Sequence, residues 1–136
     1  LMILAANIKT FPEADVIYSN SFICDDSQHE NLVNFYRWAD AGHLPNLIQG
    51  CCCGPFPLLK KKSVVDAGMF NPEFTICGDY EMWCRMNVKG CTFMQIDEPL
   101  GVYYHNPTGM STNNAHRQEH IHQDNVIRDT YRSYIR

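Results

Sequence analysis

The chain has no apolar run approaching the roughly 20 residues that a membrane helix needs. No basic run exceeds Lys60-Lys61-Lys62, and acidic residues outnumber basic ones by 15 to 11. A nucleic-acid backbone is therefore not an expected partner. No secretory signal opens the sequence, which begins LMILAANIKTF in helical periodicity. Internal repeats and low-complexity tracts are lacking as well, and a charged fraction of 19% beside 45% hydrophobic residues argues against disorder. The opening on Leu1 rather than methionine suggests a piece excised from a longer chain.

Cysteine is plentiful, but its spacing is uninformative for metal. The seven residues Cys24, Cys51, Cys52, Cys53, Cys77, Cys84 and Cys91 contain no C-x-x-C pair, and their number is odd. Three adjacent cysteines cannot easily converge on one ion. Free, mostly buried thiols in a reducing cytosol are the expected reading, so the chain is placed in the cytoplasm.

Punctuation divides the 136 residues, read as a single domain, into short elements. Leu1, Leu4, Ala5, Ile8 and Phe11 mark a helix stopped by Pro12. DVIYSNSFIC (15–24) reads as a strand with Val16, Tyr18, Phe22 and Cys24 on one face. QHENLVNFYRWADAG fits a helix through Leu32, Phe35, Tyr36 and Ala39, closed by Gly42. NLIQGCCCGPFP reads as a short strand entering a loop, and LLKKKSVVDAG as a helix ending at Gly68. CTFMQID and LGVYYH are expected as two strands split by Glu98-Pro99. A polar helix capped by Thr112 or Asn113 closes the chain. The fold class is α/β, with mixed short strands flanked by helices.

The stretch ICGDYEMWCRMNVKG (76–90) carries the strongest local signal. Tyr80, Trp83, Cys84 and Val88 form one helical stripe at i, i+3, i+4 and i+8. Gly78 is an acceptable N-cap, and Asp79 and Glu81 fall in the first turn, where negative charge suits the helix dipole. A purely structural role accounts for these residues in full.

Their context adds more. Gly68-Met69-Phe70-Asn71-Pro72-Glu73-Phe74, then Gly78 through Arg85, then Glu98-Pro99-Leu100 through Tyr104 follow in an order that resembles the C-terminal half of a family 2 glycosyltransferase of the GT-A fold. The opening PEADVIYSN resembles the strand after that family's metal-binding loop, so the likeness spans nearly the whole chain. The resemblance implies a partial GT-A fold holding the acceptor side, because the D-x-D loop of the donor half does not occur in the sequence, and Asp25-Asp26 is merely adjacent.

The resemblance also assigns roles. Asp79 becomes the general base that deprotonates the acceptor hydroxyl. Gly78 stands where glutamate is commoner, and Glu81 is a supporting first-turn residue. Arg85 supports as a buried partner of a loop carboxylate or is solvated. Trp83 belongs to the helix core and, with Gly78, flanks the acceptor. Gly50, Cys51, Cys52, Cys53, Gly54 and Pro55 occupy the acceptor-pocket position; a surface loop with packed thiols explains them equally well. Gly50 and Gly54 would let the backbone approach a sugar. His105 is the candidate metal ligand, one place off the usual spacing from Ser111, whereas His116, His120 and His122 read as a solvated helix face.

The implied activity is inverting transfer from a nucleotide-diphospho-sugar to a glycan or glycolipid acceptor, as in polysaccharide biosynthesis. It would require Mg²⁺ or Mn²⁺ in the complete enzyme, with no metal expected on this fragment and membrane association left to other parts of the full-length protein. The alternatives are a non-catalytic carbohydrate-binding or assembly module that keeps the fold, and a small metal or redox domain.

Overall fold

The computed structural model describes residues 2–25 and 32–135. Helix α1 (Met2–Thr10) leads through a turn at Pro12 into strand β1 (Val16–Cys24). Strand β2 (Leu32–Tyr36), the short helix α2 (Leu44–Leu47), strand β3 (Leu58–Leu59) and helix α3 (Lys61–Ala67) follow. Helix α4 (Gly78–Val88), strand β4 (Phe93–Tyr104), a 3₁₀ turn (Asn114–His116) and helix α5 (Arg117–Arg132) complete the order. Among the described residues no helix is long and apolar enough to cross a membrane.

The sheet is mixed and organised around β1. Strand β4 runs parallel to it from Val16↔Phe93 to Cys24↔Tyr104. On the opposite edge β3 pairs antiparallel with Val16 and Ile17, and β2 pairs antiparallel with residues 21–24. A central strand flanked on both edges and covered on both faces should be apolar or satisfied throughout. Residues 16–21 are indeed buried in succession, including Ser19, Asn20 and Ser21. The one-sided burial expected through Val16, Tyr18, Phe22 and Cys24 is not seen, because Ile17, Ser19 and Ser21 between them are buried too. The pairing of β1 with β4 shifts on either side of Asn20.

That shift also corrects the reading of two strands split by Glu98-Pro99. The register passes from Ser19↔Ile96 to Asn20↔Pro99, so Asp97 and Glu98 are taken up as an irregularity within one strand. Proline is tolerated at such a bulge because no ladder hydrogen bond is required of it. Asn20 fills the gap: its amide donates to Asp97 Oδ1 (2.9 Å), and its Oδ1 accepts from the Trp38 backbone and from Gln95 (both 3.0 Å).

Two further expectations are corrected. Leu32–Tyr36 is a strand rather than part of a helix, since LVNFY suits a pleated surface and the edge of β1 is free to pair with it. The helix start expected at residues 28–31 lies outside the described residues, as does Asp26. Leu44–Leu47 is helical rather than extended, with Pro45 in its first turn, where the missing N–H costs nothing. The 58–68 segment divides at Lys60 into β3 and α3, and α3 does end at Gly68, in the left-handed conformation (φ 103°).

The main core lies between the sheet and α4. Tyr80, Met82, Trp83, Cys84 and Met86 are all buried there, with Val16, Tyr18, Leu47, Ile127 and Tyr131. The expected single stripe understates this helix. Met82 and Met86 bury a second face, because α2, α3 and α5 also pack on α4. A smaller cluster of Ala14, Ile17, Phe11, Leu58, Met94, Ile96 and Leu100 is packed separately from the main core. The loops over the core are held by buried tyrosines: Tyr18 donates to Ala39 O and accepts from Ala41 N–H (3.0 and 2.7 Å), and Tyr80 donates to Leu47 O (2.5 Å).

Candidate functional site

A cleft of about 720 Å³ opens where the start of α4 meets α5, the cysteine loop and the segment after β4. Asp79 stands on its wall and is exposed. Its Oδ1 accepts the neighbouring Tyr80 N–H at 2.7 Å, while no hydrogen bond reaches Oδ2 among the described residues. The carboxylate is thus fixed through one oxygen, and the other is left for a ligand. Helix α4 is a rigid base for it, since Tyr80 behind it is 2% exposed and bonded to α2. The N-cap position is Cys77, not Gly78, and its side chain makes no capping hydrogen bond.

Glu81, one residue beyond Tyr80, has the opposite environment. It is 4% exposed and lies against Arg85, whose Nη2 is 2.8 Å from Oε2, and Tyr131 donates to its Oε1 at 2.6 Å. Burial pulls the Glu81 carboxyl upward, but the hydrogen bonds from Arg85 and Tyr131 outweigh it and leave the group below its ordinary value. Arg85 is not the partner of a loop carboxylate. It pairs with Glu81 one turn back through Nε and Nη2, while Nη1 donates to the Ala67 carbonyl and Nη2 also to that of Met69. This network ties α4, α5 and the end of α3 together beneath the cleft.

The cysteine loop divides. Gly50, Cys51, Gly54 and Pro55 line the cleft, whereas Cys52 and Cys53 turn into the core at 6% and 0% exposure. Gly54 is needed for its backbone (φ 71°) and because the Trp38 indole lies about 3.0 Å from where a Cβ would stand. The close approach at Gly54 is therefore to an aromatic ring of the same chain. Trp38 lines the cleft, donating from Nε1 to Ser21 Oγ (3.2 Å) and packing on Tyr36 (4.4 Å between ring centres). Trp83 is a correction: it is core, packed edge-on against Phe93, and does not reach the cleft. Gly78 likewise does not line it.

Cys51, Cys52, Cys53, Cys77, Cys84 and Cys91 are free thiols, four of them buried. Burial is the leading cause that pushes the Cys52 and Cys77 thiols up to about 11 and Cys84 to about 12. Cys51 is exposed at the cleft as a residue, yet atoms crowding its sulfur, and then the Asp79 carboxylate, push its thiol well up. These are protonated, poorly nucleophilic thiols at neutral pH. Denatured, unreduced protein should accordingly titrate at least these six thiols with a chromogenic reagent; five or fewer in a fresh preparation would contradict this arrangement.

The α5 wall holds residues that the sequence reading missed. His120, Asp124 and Arg128 face the cleft at i, i+4 and i+8, with Arg128 Nε 2.7 Å from Asp124 Oδ2. His120 is thus a cleft residue rather than part of a solvated face. The spacing was visible, but nothing in a polar helix tells which polar stripe will be turned inward. Tyr103 and Tyr104 at the end of β4 and the following loop close the remaining side. Asn113 caps that loop's exit, its Oδ1 accepting from Ala115 N–H at 3.0 Å.

His105 is exposed at the end of β4 and outside the cleft, its backbone N–H bonded to Cys24 O at 2.8 Å. No group of three or more metal-ligating side chains forms among the described residues. One histidine does not make the donor set of a metal centre, so no chemistry is derived through a metal at His105. No protein-family model matches the chain, and a search of curated proteins finds no match to it.

Proposed function

We propose that this chain is the acceptor-side part of an inverting glycosyltransferase of the family 2, GT-A type, which uses a nucleotide-diphospho-sugar and glycosylates a saccharide or lipid-linked acceptor. The observation that carries the reading is Asp79, exposed in a roomy cleft with one carboxylate oxygen held and the other open to a ligand. The motif order around it supplies the reaction class.

The acceptor hydroxyl lies in the cleft and donates its hydrogen bond to Asp79 Oδ2. As its oxygen bonds to the anomeric carbon, the proton passes to that carboxylate and the carbon–oxygen bond to the diphosphate breaks on the opposite face, which inverts the centre. Fixing the base on a helix start anchored by Tyr80 lowers the entropy cost of alignment. Trp38, Tyr103 and Tyr104 offer apolar surface for a sugar ring, and Asp124 and Arg128 offer an acceptor and a donor for its hydroxyls. A divalent metal would be held by a D-x-D loop, which this sequence does not contain, and would supply neutralisation of the diphosphate charge.

Sugar transfer from a panel of nucleotide-diphospho-sugars, assayed in the complete enzyme with the product anomer read by NMR, tests this reading. Inversion of configuration is expected. Retention would overturn the inverting mechanism and with it Asp79 as base, and a complete protein that binds saccharide but transfers nothing from any donor would replace the enzyme with a carbohydrate-binding module on the same fold.

A further inference from the structure

We infer that Gln123 is the positioning residue that sets Asp79 in the cleft, an assignment that rests on the functional reading above. Gln123 lies on α5 and is 3% exposed. Its Oε1 accepts two consecutive backbone N–H groups, from Ile76 and Cys77, each at 3.0 Å. Its Nε2 donates to Thr75 Oγ1 (3.1 Å) and to Glu119 Oε1 (2.7 Å). One buried side chain therefore grips three successive residues, 75–77, immediately before α4.

The grip falls where α4 has no device of its own. Cys77 at the N-cap position is not a capping side chain, and its thiol turns away to the His120 carbonyl (3.7 Å). The first N–H groups of a helix need partners, and a buried N–H left unpaired is costly. Gln123 supplies the acceptor for two backbone groups at the entry of α4. Asp79 follows two residues after the second of them, so a shift of the loop moves the carboxylate directly.

Helix α5 also contributes Asp124 and Arg128 to the cleft, next to Gln123 in sequence. The same contact thus holds the wall that carries the base at a set distance from the wall that faces it. A loop tied only by its own backbone would leave that distance free. Displacements of about 1 Å at a reacting centre cost on the order of 10²-fold in rate.

Two variants of the complete enzyme test the assignment. Gln123→Met keeps the volume and removes both the acceptor and the donors. Gln123→Glu combined with Glu119→Gln reverses the donor and acceptor across that hydrogen bond and keeps an oxygen for Ile76 and Cys77. The Met variant should lose about 10²-fold in kcat with the donor KM little changed, and the Ile76 and Cys77 amides should exchange faster with solvent. The paired swap should restore most of the kcat and slow the exchange again. Wild-type turnover in Gln123→Met overturns the assignment. So does a loss that tracks melting temperature alone and that the swap does not repair. Asp79→Asn, run beside them, separates the two readings: if it abolishes turnover while Gln123→Met does not, only the positioning role falls. If neither variant affects turnover, the role of Asp79 as base falls with it.

Discussion

If the proposed function holds, Asp79→Asn should lower the turnover of the complete protein by about 10²–10⁴-fold, the usual contribution of a positioned general base. Asparagine keeps the shape and an oxygen for the Tyr80 N–H, which Asp79 Oδ1 accepts at 2.7 Å, but it cannot take a proton. The structural cost should be small. The side chain is exposed, and a first-turn charge is worth roughly 0.3–1 kcal/mol. On the proposed reading donor binding should stay nearly intact, because a donor-side half would hold the diphosphate. Turnover above about a tenth of wild type, with an unchanged melting temperature, would reduce Asp79 to a dipole partner of α4.

Glu81→Ala should do the reverse. Two positions along the same helix, it should destabilise the fold by about 3 kcal/mol, the lower part of the range for breaking a buried pair, since Arg85 keeps 19% of its side chain exposed. That corresponds to roughly 10 °C in melting temperature for a chain of this size. The loss has two sources: Arg85 is left without its carboxylate, and the Tyr131 hydroxyl without its acceptor. The acid limb of stability should carry the same signature. Because Glu81 is held below its ordinary 4.5, its contribution is full above that pH and is lost as the pH falls through the lower folded value. Asp15, also held low by Ser63, Thr92 and Lys60 against the upward pull of burial, adds to this sensitivity. Melting scans should show stability falling below about pH 4.5, and Glu81→Gln should flatten part of that fall. A Glu81→Ala protein as stable as wild type would mean that the Glu81–Arg85–Tyr131 contact is incidental.

Set side by side, the two carboxylates show how far the chain could be read without its fold. DYE places both acids in the first turn of a helix and gives no reason to separate them. Sequence spacing did identify the helix, because Tyr80, Trp83 and Cys84 recur at 3.6-residue intervals. Local chemistry likewise determined the end of α1 before Pro12, the extended β1 and the stop of α3 at Gly68, each a matter of a few neighbouring residues. Asn113, by contrast, caps a 3₁₀ turn and not α5, which starts at Arg117 after His116, whose side chain makes no capping hydrogen bond.

Tertiary structure decided what depended on partners distant in the chain. Leu32–Tyr36 became a strand because β1 offered it an edge, and β4 ran through Pro99 because a bulge opposite Asn20 absorbed the extra residues. Trp83 is core, as its place in the Tyr80–Trp83–Cys84 stripe implied; only its further placement beside the acceptor, which the resemblance added, is undone by its packing on Phe93 away from the cleft. Asp124 and Arg128 joined the cleft only in the fold, since a polar stripe on α5 is compatible with solvent until another element packs across it. Periodicity and capping are short-range properties that fix an element. Burial, ion pairing and the convergence of side chains are set by contacts dozens of residues apart, such as Tyr131 on Glu81 and Gln123 on Cys77, and those exist only once the chain has folded.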